Sequence, residues 1–107
     1  MFDYNIEDAL RILKSFDSVD LRFDNHILDN WFEREINFDY VFDCLKDQMI
    51  LSISKTSENR FKLIYPDEKL KTKDLYIIIE IDDFEKITVK TAYTFSKSRR
   101  QRENERK

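Results

Sequence analysis

The stretch LYIIIEIDDFEKITVKTAYTF, residues 75–95, decides the fold that we expect for this chain. Its first seven residues are almost continuously apolar, which predicts an interior strand that is covered on both faces. The two aspartates that follow are turn formers, and they predict a reversal into an antiparallel neighbour over residues 86–95. Alternation in this second strand predicts one buried row, made of Ile87, Val89, Thr91 and Tyr93.

Three further segments also have the composition or the period of strands. They are VDLRF at 19–23, MILSIS at 49–54 and RFKLIY at 60–65. Together with the pair above, they predict a sheet of four or five strands that is mainly antiparallel.

The remaining apolar residues recur at helical spacing. Asn5 is a capping residue before a first helix over residues 6–16, and Asn37 caps a helix that carries Phe38, Val41, Phe42 and Leu45. A helix between these two begins after Asp24 or Asn25, and its apolar positions are Ile27, Leu28, Trp31 and Phe32.

These elements predict one α+β domain. An N-terminal helix and a helix pair are expected to pack on one face of the sheet. Residues 1–96 form this single domain, and residues 97–107 form a basic C-terminal tail.

Charge is distributed unevenly along the 107 residues, whose net charge is −3. Residues 95–107 carry six basic and two acidic side chains, or +4, which leaves −7 for residues 1–94. An acidic body repels phosphate chains, whereas the tail attracts them or docks on an acidic protein. The tail alone does not choose between these partners.

Other features limit the classes of function. Cys44 is the only cysteine, so no internal disulfide and no cysteine-based metal cluster can form, and we expect its thiol to be buried. The longest apolar run is too short to cross a bilayer, and the N-terminus does not resemble a signal peptide. We expect a cytoplasmic protein with no membrane contact, no metal and no cofactor.

Two segments carry a resemblance to a known family. HILDNWFEREINFDYVFDCL at 26–45 and ITVKTAY at 87–93 resemble the opening helices and the closing strand of small RelE/BrnT-like domains. The matched positions are His26, Arg34, Ile36, Val41, Leu45, Thr91 and Tyr93. The sequence departs from the class at Glu35, where a glycine often stands between the two helices. The first helix and the basic tail are additions to the class.

Many members of this class are ribonuclease toxins of toxin–antitoxin pairs, so the resemblance implies an RNA target and an antitoxin partner. Metal-independent RNA cleavage needs an acid or base and cations that stabilise the phosphorane. His26 would be that acid or base, Arg34 the phosphate clamp and Tyr93 a substrate contact. Thr91, Arg99 and Arg100 would help to bind the substrate.

Each of these residues also has a purely structural interpretation. His26 can donate to a backbone carbonyl at a helix start, and Arg34 can pair with a neighbouring carboxylate. Thr91 and Tyr93 are residue types that favour strands, and basic termini commonly remain solvated. The rival hypothesis is therefore a non-enzymatic module of the same fold that binds a protein, which the acidic balance of the chain favours.

Overall fold

The computed structural model describes residues 3–25, 37–47, 50–67 and 72–96. Within them the chain is an α+β protein in which two helices pack against a five-stranded mixed sheet. The helices are α1 (Ile6–Ser15) and α2 (Phe38–Asp47), and a 3-10 turn spans Ser18–Asp20. The strands are β1 (Leu21–Phe23), β2 (Ser52–Ser57), β3 (Arg60–Pro66), β4 (Lys73–Ile81) and β5 (Ile87–Ser96).

The sheet has the strand order β1-β5-β4-β3-β2. The four strands from β2 to β5 follow one another as antiparallel neighbours, and β4 and β5 are paired over their full length. The short first strand joins the outer edge of β5 in parallel, with Leu21 opposite Ile87. The predicted interior position of the strand at 75–81 is confirmed, because β4 lies between β3 and β5. Its predicted cover on both faces is only partial, since Ile78 and Glu80 are partly exposed.

The first helix begins where the sequence predicts. The Asn5 side chain accepts from the Asp8 backbone N–H at 2.8 Å, and the Asp8 carboxylate accepts from the Asn5 N–H at 3.0 Å. This reciprocal capping box satisfies two backbone donors that the first turn would otherwise leave without a partner. The helix ends one residue earlier than expected, since Phe16 is already extended.

The helix after Asn37 is also confirmed. The Asn37 side-chain oxygen accepts from the backbone N–H groups of Asp39 and Tyr40 at 3.0 and 3.3 Å. Cys44 is buried in this helix, as predicted. The predicted helix between Asn25 and Glu35 lies outside the described residues.

One hydrophobic cluster joins both helices to the sheet. Ile12 of α1 and Leu45 of α2 belong to it, with 2% and 0% of their surface exposed. We call the side of the sheet whose residues belong to this cluster the core face. Its residues include Phe61, Leu63, Ile77, Ile79, Val89 and Ala92. The opposite side, the second face, carries cross-strand rows of Lys62, Ile78 and Thr91 and of Ile64, Tyr76 and Tyr93.

The predicted buried row of β5 is wrong beyond Val89. A β-bulge inserts one extra residue, Lys90, between the positions that pair with two successive isoleucines of β4. The bulge shifts the alternation by one residue, so Ala92 takes the place in the core. Thr91 and Tyr93 therefore lie on the second face, where both are partly exposed.

The hydroxyl group of Tyr65 is buried in the core. Tyr65 is fully buried, and among the described residues its hydroxyl has no hydrogen-bond partner. Burial raises the pKa of this phenol, because the charged form loses its hydration. The hydroxyl of Tyr40, by contrast, is hydrogen-bonded: it donates to the carbonyl oxygen of Pro66, the residue after Tyr65, at 2.6 Å.

We expect Tyr65→Phe to leave the free energy of unfolding unchanged or to raise it by about 1 kcal/mol, because the substitution removes a polar group that folding desolvates without compensation. Urea denaturation measures this change. Tyr40→Phe is the matched control, and it should cost about 1 kcal/mol because it deletes a hydrogen bond. An equal loss from both variants would show that the Tyr65 hydroxyl is hydrogen-bonded in solution.

Candidate nucleic-acid interface

An open depression of about 640 Å³ lies on the second face. All five strands contribute to it, either directly or through the residue that follows β1. Its lining consists of Asp24, Thr56, Arg60, Ile78, Lys90 and Thr91.

Two β-bulges supply part of this lining. The bulge in β5 adds Lys90 next to Thr91, and a second irregularity in β2 leaves Thr56 between the paired residues Lys55 and Ser57. The Thr56 hydroxyl donates to the backbone carbonyl at the start of β3, at 3.2 Å. Bulges redirect side chains that regular alternation would place elsewhere. Here they bring a cation and a hydroxyl group into the depression.

Each of the two cations of the depression has a carboxylate partner. Lys90 Nζ donates to Asp24 Oδ2 at 2.7 Å, and Arg60 Nη2 donates to Glu80 Oε2 at 2.8 Å. These side chains are between 28% and 43% exposed, so solvent screens both pairs. A guanidinium has five N–H donors, and the only partner of the Arg60 side chain among the described residues is Glu80. Arg60 therefore retains donors that can bind an anion.

Aromatic rings continue the second face beyond the depression. Tyr76 and Tyr93 stack with their centroids 5.3 Å apart, and Phe95 contacts both rings edge-on at 5.6 and 5.2 Å. Lys62 Nζ lies 5.8 Å from the centre of the Tyr76 ring. Tyr76 is only 1% exposed, whereas Tyr93 and Phe95 keep part of their surface accessible.

The structure brings together two of the predicted site residues. Thr91 lines the depression, and Tyr93 follows it by two positions on the same face of β5. The other predicted residues lie outside the described residues. They are His26, Arg34, Arg99 and Arg100.

Sequence reasoning missed the cations of the depression. Arg60 and Lys90 appear in the sequence as ordinary polar positions of alternating strands, and nothing in that pattern indicates that they meet. One signal was available, because KTAY places two polar residues side by side in a strand that otherwise alternates. Such a pair is compatible with a bulge and marks the position where Lys90 and Thr91 both reach the depression.

The described part of the depression is suited to binding more than to proton transfer. Cations and hydroxyl groups bind phosphate oxygens, and partly exposed rings stack on bases. Its lining includes no histidine. No group of three or more His, Cys, Asp or Glu side chains with the arrangement of a metal site occurs within residues 3–25, 37–47, 50–67 and 72–96. Neither described helix is long and apolar enough to span a membrane.

Comparisons with protein-family models, with curated proteins and with solved structures found no match to this chain. The resemblance to RelE/BrnT-like domains therefore depends on the quoted residues alone.

Proposed function

We propose that this protein binds single-stranded RNA on the second face of its sheet and cleaves it without a metal ion, as a cytoplasmic toxin-like ribonuclease of the RelE/BrnT type. One observation carries the proposal. Arg60, Lys90 and Thr91 meet in a single depression that continues into the partly exposed rings of Tyr93 and Phe95. In this proposal the helices pack on the core face and leave the depression to the substrate.

The spacing along β5 suits a chain of nucleotides. Two residues of a strand span about 6.7 Å, so Thr91 and Tyr93 can contact a phosphate and a neighbouring base of the same RNA segment. Arg60 and Lys90 would neutralise the phosphate, and Tyr93 and Phe95 would stack on unpaired bases. Single-stranded RNA fits this surface better than a duplex, because stacking requires bases that are exposed.

The local charge supports an anionic ligand despite the acidic body. The second face carries four cations and three carboxylates, which leaves 4 − 3 = +1. They are Arg22, Arg60, Lys62 and Lys90, and Asp24, Asp74 and Glu80. The remainder of residues 1–94 must then carry −8, since −7 − 1 = −8. The basic tail, with Arg99 and Arg100, would add a second attractive region.

The chemical step would use residues from the matched segments. His26 takes the proton of the 2′-hydroxyl or gives one to the departing 5′-oxygen, while Arg34 stabilises the charge on the phosphorane. Attack of the 2′-oxygen on phosphorus breaks the bond to the 5′-oxygen, which leaves a cyclic phosphate and a 5′-hydroxyl. Tyr93 would hold the base beside the scissile bond.

RNA binding tests the proposal directly. At low salt, we expect Arg60→Gln to weaken binding of a fluorescently labelled single-stranded RNA about tenfold, because a charge-assisted contact is worth roughly 1.5 kcal/mol. The slope of log affinity against log salt should fall by about 0.7, the value for one phosphate contact. Fluorescence anisotropy measures both quantities.

Lys14→Gln is the matched control, since it removes the same charge from an exposed position in the last turn of α1. It should leave the affinity and the salt slope close to those of the wild type. Equal losses from both variants would mean that only net charge matters. No binding by the wild type would favour the protein-binding module.

A further inference from the structure

The turn between β4 and β5 carries a highly exposed aromatic side chain. Phe84 is 83% exposed at this turn, and Val19 is 81% exposed just before β1. Leu21 pairs with Ile87 in parallel strands, so Val19 and Phe84 both precede their strands at the same end of the sheet. We call this pair the apolar tip.

Hydrogen bonds fix the turn beneath Phe84. The Asp82 carboxylate accepts from the backbone N–H groups of Phe84 and Lys86 at 2.8 and 3.0 Å. The Asp82 backbone carbonyl accepts from the Tyr4 hydroxyl at 2.7 Å and from the Glu85 N–H at 3.0 Å. The turn therefore presents the Phe84 ring from a well-supported backbone.

A second contact holds the turn to α1. Glu85 has a φ of 63°, a left-handed conformation that is unfavourable for a residue with a Cβ. Its carboxylate accepts from both terminal nitrogens of Arg11, at 2.9 and 3.4 Å. An aromatic side chain on a backbone that is already ordered loses little entropy when a partner covers it.

The surroundings of the apolar tip are acidic. Residues 17–20 and 82–86 carry five carboxylates and one lysine, and Arg11 is paired with Glu85, which gives 2 − 5 = −3. Burial and, to a smaller extent, the nearby charges of Glu85, Asp83 and Asp82 raise the pKa of Tyr4, whereas Arg11 lowers it. Nucleic acid is repelled by such a surface, whereas a basic protein segment is attracted.

We propose that the apolar tip docks on a partner protein through a segment in which large apolar residues stand beside lysine and arginine. Phe84 is the anchor, Val19 extends the contact, and the negative charge around the two turns attracts the basic side chains. The proposal goes beyond RNA binding, because neither Phe84 nor Val19 lines the depression.

Selection from a displayed library of random peptides tests this docking. Immobilised wild-type protein should enrich peptides that combine large apolar residues with Lys or Arg. Binding of the enriched peptides should weaken at least tenfold on Phe84→Ala, the loss expected for an interface anchor. Asp83→Asn should weaken peptide binding less than Phe84→Ala does, and added salt should reduce the difference in affinity between Asp83→Asn and the wild type.

Leu51→Ala is the matched control, because Leu51 is 46% exposed and precedes β2 at the other end of the sheet. It should leave the peptide affinity unchanged, and both variants should unfold at the wild-type midpoint. Failure to enrich peptides, enrichment without basic residues, or equal affinity for wild type and Phe84→Ala would each overturn the proposal. Self-association of the wild type that Phe84→Ala abolishes would overturn it in favour of a contact between two copies.

Discussion

Replacing Ile77 with alanine is expected to lower the free energy of unfolding by about 3–4 kcal/mol. Ile77 lies in the middle of β4, is fully buried, and stands between Leu63 of β3 and Ala92 of β5 on the core face. The substitution deletes buried apolar surface and leaves a cavity that the paired strands cannot close. Small domains are stable by about 5–15 kcal/mol, so the variant loses a large part of its stability. Urea denaturation followed by circular dichroism measures the loss.

Ile78→Ala is the matched control for the two faces of β4. Ile78 is the next residue, but it lies on the second face and is only partly buried where it lines the depression. We expect it to cost less than half as much as Ile77→Ala. A larger cost at Ile78 would contradict the assignment of the core to the other face.

Replacing His26 with alanine is expected to reduce RNA cleavage by about 10²- to 10⁴-fold, the usual contribution of a general acid or base. The assay contains a chelator, because the proposed cleavage needs no metal ion, and a mixed single-stranded RNA at low salt. If this variant keeps the wild-type affinity for RNA in the anisotropy assay, its slower cleavage reflects a loss of catalytic activity and not a loss of binding. Gel analysis of the products measures the rate.

Lys14→Gln again serves as the control, and it should cleave as fast as the wild type. Thermal unfolding of each variant verifies that its fold is intact. Equal cleavage by wild type and His26→Ala would assign His26 a structural role. Absence of cleavage by a wild type that still binds RNA would reduce the proposal to RNA binding.

Local signals in the sequence predict the regular elements well. Asn5 and Asn37 cap the two described helices because their short side chains reach backbone donors of the next turn, an interaction between close neighbours in the chain. The apolar run of β4 likewise indicates an interior strand, and β4 lies between β3 and β5, although Ile78 and Glu80 on its second face are only partly buried. Such signals depend only on residues within a few positions of each other.

Features that depend on distant residues are harder to predict. The parallel pairing of β1 with β5 joins residues more than sixty positions apart, and a three-residue strand does not indicate its own direction. The bulge at Lys90 arises from the match between two strands, so alternation within β5 alone predicted the wrong face for Thr91 and Tyr93.

In the candidate site, too, some residues could be predicted from the sequence and others could not. The resemblance singled out Thr91 and Tyr93, and the structure places them on one face, next to each other in the second-face rows. Arg60 and Lys90 could not be found in this way, because two bulges and the order of the strands bring them together.

The most direct test of RNA binding on the second face is a titration of ¹⁵N-labelled protein with a short single-stranded RNA, followed through backbone amide chemical shifts. If RNA binds there, the largest shift changes should cluster at Arg60, Ile78, Lys90, Thr91 and Tyr93, with small changes along α1. Changes that centre on α1, or no changes at RNA concentrations that saturate the anisotropy signal, would contradict RNA binding on the second face.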